Sequence, residues 1–99
     1  MFRIKLSEGA ADEIARLRAF DRKMIVTAVK SQLVHQPNLE TRNRKILRGL
    51  HPPWNHLDPV WELRSGEYRV FYDVDEAASV VNIRAVRHKP SHRTTEEIV

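Results

Sequence analysis

The stretch VWELRSGEYRVFYDVDE, residues 60–76, contains two short segments in which charged residues alternate with large apolar residues. Between these segments lie Ser65 and Gly66, and alternation interrupted by a small-residue pair predicts two β-strands joined by a tight turn. Counting outward from a two-residue turn at Ser65-Gly66 places Glu62 opposite Arg69. The stretch therefore predicts a hairpin with one apolar face and one charged face.

The two faces of this hairpin follow from the two-residue period of a strand. The predicted apolar face comprises Trp61, Leu63, Tyr68, Val70 and Tyr72. The predicted charged face comprises Glu62, Arg64, Glu67 and Arg69, with Phe71 further along. The apolar face is expected to form the core. The charged face is either a solvated surface with exposed ion pairs, each worth about 0–1 kcal/mol, or a functional site.

The two acidic residues and the basic residues of this face differ in what they indicate. For Glu62 and Glu67, both interpretations stay open. For Arg69 together with His88 and Lys89 we favour a site, because guanidinium can bind a phosphate through two hydrogen bonds and imidazole exchanges protons near neutral pH.

The residues on either side of the hairpin predict the remaining elements. Residues 2–6 alternate as a strand, Ser7 can cap a first helix, and Asp21 can cap a second that ends before Pro37. The helical apolar stripes are Ala10, Ile14 and Leu17, then Ile25, Ala28, Val29 and Leu33. Residues 38–57 are expected to form a loop with at most one short ordered turn.

A last strand is predicted over residues 80–86, in which Val81, Ile83 and Ala85 fit the core face while Asn82 and Arg84 fit the charged face. Alternation would point Arg87 into the core, so a bulge or strand end is expected near Val86. The element order β-α-α-β-β-β predicts an α+β fold in which a helical hairpin packs on one face of a small antiparallel sheet.

Length and composition limit the classes of protein. With 99 residues, 41% hydrophobic and 30% charged, the chain is expected to form a single folded domain over residues 1–99. There are no cysteines, which excludes disulfides, a thiol nucleophile and the usual zinc sites. No apolar run approaches the roughly 18 residues of a membrane span, so a cytoplasmic protein is expected.

The chain has a formal net charge of +4, and many of its basic residues lie in two intervals of the sequence that contain no acidic residue. The acid-free interval after Glu40 holds Arg42, Arg44, Lys45 and Arg48. The second, over residues 77–95, holds Arg84, Arg87, His88, Lys89, His92 and Arg93. A solvated basic surface is one interpretation; two such intervals in a short chain favour a nucleic-acid partner, because neutralised phosphates release counterions.

These elements, with KILRGL at residues 45–50, the hairpin, and VVNIRAVRHK at residues 80–89, resemble the RelE/ParE superfamily of bacterial toxin–antitoxin toxins. The resemblance implies a RelE-type endoribonuclease that cleaves messenger RNA in the ribosomal A site and is silenced by a cognate antitoxin, expected to be small, acidic and partly disordered. It implies chemistry without metal or cofactor, in which a ribose 2′-hydroxyl attacks the adjacent phosphate and the 5′-oxygen leaves.

The same resemblance implies roles for individual residues. Arg69 matches the hairpin arginine used on the scissile phosphate, and Arg64 a further basic position. Lys89, or His88 beside it, matches the basic residue that ends the last strand. Glu62 stands where the best-studied member has a lysine, and is a possible base. The C-terminal tyrosine of several relatives is missing, so His88 or His92 is expected to act as acid, base or stacking ring.

In the endoribonuclease interpretation, the residues expected to hold RNA are Arg42, Arg44, Lys45 and Arg48, with Arg84 and Arg87 supporting the site.

The resemblance also leaves two other interpretations open. A ParE-type toxin with the same fold would instead inhibit DNA gyrase through a protein contact, without nuclease activity. A degenerate relative would keep only the fold and the antitoxin.

Overall fold

The computed structural model describes residues 1–99 as a five-stranded sheet covered on one face by two helices. The elements are β1 (Arg3–Leu6), α1 (Glu8–Ala15), α2 (Ala19–Leu33), β2 (Arg44–Ile46), β3 (Trp61–Ser65), β4 (Tyr68–Asp75), β5 (Val80–His88) and α3 (Thr95–Ile98). The strand order is β1-β5-β4-β3-β2. The predicted α+β fold with a helical hairpin is confirmed. The sheet is mixed rather than antiparallel throughout, because β1 pairs in parallel with β5.

The core lies between the sheet and the helical hairpin. Its buried members are Ala10, Ile25, Val29, Leu33, Trp61, Leu63, Val70, Tyr72, Val81, Ile83 and Val86. Every predicted stripe residue of the helices either belongs to this cluster or packs against it. None of the helices is long and apolar enough to cross a membrane.

One of the two predicted helix caps is confirmed. Ser7 caps α1, and its hydroxyl accepts a hydrogen bond from the Ala10 amide at 3.1 Å. The prediction that Asp21 caps α2 is wrong, because the helix begins at Ala19 and its N-cap residue is Arg18. Asp21 lies in the first turn, where a carboxylate is favoured by the helix dipole, and accepts from Arg18 Nε at 2.8 Å.

The hairpin turns one residue later than predicted. Gly66 and Glu67 form the turn, so Ser65 pairs with Tyr68 and Leu63 with Val70. The reason is backbone geometry: Gly66 adopts φ +59°, and the first central position of a type I′ or II′ turn requires such a positive φ. Each residue therefore faces a partner two positions away from the predicted one, and the assignment of residues to the two faces is unchanged.

Strand β5 contains an irregularity close to the predicted bulge. Phe71 pairs with Ala85 but Tyr72 pairs with Ile83, so Arg84 is an extra residue. After it, alternation is reversed: Val86 enters the core in place of the predicted Ala85, which packs on the face of Phe71. The same shift removes the conflict at residue 87, which now pairs with Arg69 on the charged face.

Two short elements were not predicted. Strand β2 interrupts the expected loop and pairs with β3 at the sheet edge. Helix α3 follows β5 and starts with a capping box, in which the side chains of Thr94 and Glu97 each bond the other's backbone amide. Both elements flank the charged face and so contribute to the site described next.

Candidate active site

The sheet face opposite the helices carries a groove lined by cations, here called the cationic groove. It consists of two adjoining cavities that share Arg64, Arg69 and Lys89. The inner cavity, of about 250 Å³, is completed by Arg42, Asn43, Lys45, Glu62 and Thr95. The outer cavity is completed by Gly66, Glu67 and Ser91. The inner cavity thus has five cationic side chains and one carboxylate, an arrangement that suits an anionic ligand.

Register explains why the arginines meet. Arg64 of β3 lies directly opposite Arg69 of β4, which lies directly opposite Arg87 of β5. Direct cross-strand neighbours share a face, and like charges in that position destabilise a sheet. Arg87 is ion-paired with Glu13, so the repulsion that a bound anion would remove is the one between Arg64 and Arg69.

The Arg69 side chain is held in place by the protein and is only 10% exposed. Its Nη1 donates to the carbonyl oxygens of Gly66, at 3.0 Å, and Tyr68, at 2.8 Å. Burial lowers the pKa of Arg69, while the nearby Glu62 carboxylate raises it and Arg64 lowers it further. A guanidinium fixed on one side by carbonyls is preorganised to bind a phosphate oxygen on the other.

Glu62 lies at the floor of the inner cavity and is 5% exposed. Its Oε1 accepts from the Thr95 hydroxyl at 3.0 Å and lies 3.9 Å from Arg69 Nε. Its Oε2 lies 3.6 Å from Lys45 Nζ. Both carboxylate oxygens are therefore engaged within the protein.

The two candidate histidines do not line the cationic groove. His88 alternates with Lys89 and lies on the helix side of the sheet, where its ring is 5.2 Å from that of Tyr68. Its Nε2 lies 3.3 Å from Glu67 Oε1. His92 is exposed on the segment between β5 and α3. Of the alternatives at the end of the last strand, the structure places Lys89 in the groove.

Behind His88, Tyr68 joins the sheet to the helices. Its hydroxyl donates to the Asp21 carboxylate at 3.1 Å. Burial, followed by this hydrogen bond, raises the pKa of Tyr68. The bond from Arg18 and the one from Tyr68 lower the pKa of Asp21 despite the opposing effect of burial. This network links the start of β4 to the first turn of α2.

Arg84 and Arg87 lie on the same sheet face but are bound to carboxylates. Arg84 donates to both oxygens of the fully buried Asp73, at 2.8 and 3.3 Å. Arg87 forms an ion pair with Glu13 and lies over the ring of Trp54, 5.4 Å from its centroid. Burial lowers the pKa of Arg87. Trp54 in turn packs on Phe71, so this end of the face is covered rather than open.

The cations of residues 42–48 separate into two groups. Arg42 and Lys45 line the inner cavity. Arg44 is buried on the helix side, where its guanidinium donates to the Gln32 carbonyl in the last turn of α2. Arg48 is exposed and lies 3.8 Å from Glu40. The structure therefore brings two of these four predicted RNA-binding residues into the groove.

Three groove residues, Asn43, Ser91 and Thr95, were absent from the sequence predictions. Nothing in the pattern around Asn43 indicated β2, a strand of three residues. For Thr95 a signal was present: Thr94 followed three residues later by Glu97 is a capping box, which predicts a helix start.

The fold places the chain in the RelE-like structural class. The isolated RelE toxin of Escherichia coli superposes with a TM-score of 0.72 at 20% identity, covering 96% of this chain and 89% of that one. The toxin–antitoxin complex RelBE2 of Mycobacterium tuberculosis gives 0.70 at 23% identity, covering 89% and 98%. The intact RelBE complex of E. coli gives 0.66 at 22%, covering 93% and 100%. These likenesses establish the fold.

The family follows from the sequence. The profile described as the ParE toxin of the type II toxin–antitoxin system parDE matches residues 4–90. The chain belongs to the ParE toxin family, within the RelE/ParE superfamily to which its sequence was compared above. No curated protein sequence matches it as a close relative.

Proposed function

We propose that this toxin is a ribosome-dependent endoribonuclease that cleaves messenger RNA. The observation that carries the proposal is the inner cavity of the cationic groove, where five cations surround a single carboxylate on the face away from the helices. Such an excess of fixed cations suits a reaction in which negative charge develops on phosphorus.

In the proposed reaction the 2′-oxygen of a ribose bonds to the adjacent phosphorus and the bond to the 5′-oxygen breaks. The products are a 2′,3′-cyclic phosphate and a free 5′-hydroxyl. Arg64 and Arg69 stabilise the phosphorane, since guanidinium groups bind phosphate oxygens in pairs of hydrogen bonds. Lys89, the ammonium shared by both cavities, donates the proton that the leaving 5′-oxygen takes up. The proton of the 2′-hydroxyl passes to water.

The remaining cations of the groove hold the RNA without reading its sequence. Arg42 and Lys45 are exposed at the β2 side of the inner cavity, where they can contact phosphates on either side of the scissile one. Contacts to phosphate position a strand but carry no sequence information. Sequence selection is therefore assigned to the ribosome.

A cognate antitoxin is the expected regulatory partner. The M. tuberculosis and E. coli neighbours include toxin–antitoxin complexes, and the family is defined by such systems. The cationic groove is complementary to an acidic, partly disordered segment that folds as it binds. Co-expression with a small acidic protein encoded beside the toxin is expected to relieve growth arrest caused by the toxin.

The proposal is tested with purified toxin and ribosomes programmed with a defined message. Cleavage within the A-site codon is expected, with cyclic-phosphate and 5′-hydroxyl ends. Arg64→Gln is expected to lower the cleavage rate, while Lys23→Gln, an exposed lysine of α2 outside the groove, leaves it unchanged. Intact message at high toxin concentration would overturn the proposal.

A second candidate function, inhibition of DNA gyrase by protein contact, is favoured by the match to the ParE profile. The engagement of both Glu62 oxygens and the position of His88 outside the groove also fit a toxin without nuclease chemistry. The same preparation added to a gyrase supercoiling reaction separates the two functions. Inhibited supercoiling with intact message would establish the second.

A further inference from the structure

The groove of a phosphate-binding toxin contains a buried carboxylate, and its contacts indicate what it does there. Glu62 touches a hydroxyl of the C-terminal segment, a lysine of β2 and the arginine of β4. We propose that Glu62 is a positioning residue that orients Arg69 and limits the charge of the groove, and that it accepts no proton from the RNA. This inference rests on the proposed endoribonuclease function.

The contacts of the Arg69 guanidinium give Glu62 an orienting role. Arg69 Nη1 is bound to two backbone carbonyls of the hairpin, and Nε faces Glu62 Oε1 at 3.9 Å. These contacts fix the guanidinium on two sides and leave Nη2 without a hydrogen bond inside the chain. The carboxylate and the two carbonyls together determine which edge of the guanidinium faces the groove. Errors of about 1 Å in the placement of such groups can cost 10²-fold in rate.

The surroundings of the Glu62 carboxylate disfavour proton transfer from the RNA. A general base must lie within about 2.6–3.2 Å of the proton it removes, directly or through one water. Glu62 is 5% exposed, its Oε1 already accepts from Thr95, and its Oε2 faces Lys45. A ribose hydroxyl would have to displace one of these partners to reach it. Its position therefore favours a role through Arg69 over contact with the RNA.

The charge of Glu62 also affects how strongly the groove attracts an anion. Without RNA, Arg64 and Arg69 lie directly opposite each other, and Glu62 supplies the only negative charge in the inner cavity. A bound phosphate competes with this carboxylate for the same cations. Removing the carboxylate charge should therefore strengthen RNA binding, while the freed Arg69 becomes less well placed for the chemical step.

The experiment measures kcat, KM, their pH dependence and the salt dependence of KM on programmed ribosomes. For Glu62→Gln we expect kcat to fall about tenfold or more, KM to fall, the salt slope to steepen by about 0.7, and the pH profile to keep its shape. Glu40→Gln is the matched control, since it removes the same charge outside the groove and should leave all four quantities unchanged.

Glu62→Asp is the second variant, because it keeps the charge and shortens the side chain by one methylene. A positioning role predicts a similar loss of kcat with the wild-type salt slope, and urea unfolding of both variants establishes that they fold. Loss of the acidic limb of the pH profile in Glu62→Gln alone would identify a general base and overturn the inference. So would wild-type kcat in both variants. Absence of cleavage by the wild-type toxin would instead defeat the proposed function.

Discussion

Two sets of arginines on one sheet face differ in what their side chains contact. Arg84 and Arg87 are bound to Asp73 and Glu13, whereas Arg64 has no carboxylate partner and Arg69 lies 3.9 Å from its nearest one. The first set holds the fold together and the second remains available for an anion. The availability of a cation thus depends on the carboxylates around it, and the local density of basic residues is a poor guide. Four experiments test this distinction.

The largest expected effect is on stability. Arg84→Met leaves the Asp73 carboxylate buried with only Asn82 as a partner, at 3.0 Å. Removing one member of a buried ion pair costs about 3–5 kcal/mol, so the free energy of unfolding in urea should fall by that amount. Arg64→Met, at an exposed position, should change it by less than about 0.5 kcal/mol. Equal effects at the two positions would remove the distinction between the sets.

The next effect is on cleavage. Arg69→Lys keeps the charge but loses the planar fork in which Nη1 binds the two hairpin carbonyls while Nη2 stays free for a phosphate oxygen. We expect the single-turnover cleavage rate on programmed ribosomes to fall about 10²–10³-fold, as for loss of one oxyanion donor. Arg42→Lys, at the exposed rim of the groove, is the control and should cleave at nearly the wild-type rate. Unchanged cleavage by the lysine variant of residue 69 would place the chemistry elsewhere.

A third experiment extends the comparison to Arg18, another arginine bound to a carboxylate. Its hydrogen bond is the main cause that lowers the pKa of Asp21 in the folded protein. A lowered folded-state pKa stabilises the fold above the unfolded pKa, about 3.9, and that contribution is lost as the pH falls through the folded value. Asp21→Asn should therefore flatten the acid side of the stability–pH curve measured by thermal unfolding. A curve of unchanged shape would contradict the assignment.

The smallest effect concerns binding. Arg42→Gln removes one cation from the groove, so the logarithm of affinity for single-stranded RNA should depend less steeply on the logarithm of salt, by about 0.7 for each phosphate that the variant no longer neutralises. Arg48→Gln removes a cation that lies outside the groove, opposite Glu40, and should leave the slope unchanged. If both variants shift the slope equally, RNA contacts the whole basic segment.

The sequence was sufficient for those parts of the fold that depend on local pattern. Alternation at residues 60–76 separated the apolar face of the hairpin from its charged face, although the turn was placed one residue early, because the face period is insensitive to a two-position change of partner. The N-cap at Ser7 was likewise local. The parallel pairing of β1 with β5 joins residues almost eighty positions apart, which periodicity does not reveal.

For the candidate site, the sequence identified residue types and the structure determined which of them are brought together. The extra residue at Arg84 reverses alternation, and so decides that Arg87 faces Arg69 and that His88 does not line the groove. The pairing of β2 with β3, which buries Arg44, likewise could not be predicted from a run of basic residues. Glu13, the ion-pair partner of Arg87, lies near the other end of the chain, and Asp73 lies on the strand beside that of Arg84, so neither pair is evident from a local sequence pattern.

The position of β5 in the sheet bears on when the protein becomes active. This strand is made last yet lies between β1 and β4, so the first strand has no neighbour until residues 80–83 have been synthesised. Folding dominated by such distant pairings is slow. A nascent chain that stops short of this strand also lacks Lys89 and Thr95, which line the cationic groove, and so cannot complete it. Synthesis of the toxin thus leaves an interval in which the chain exists but the site does not.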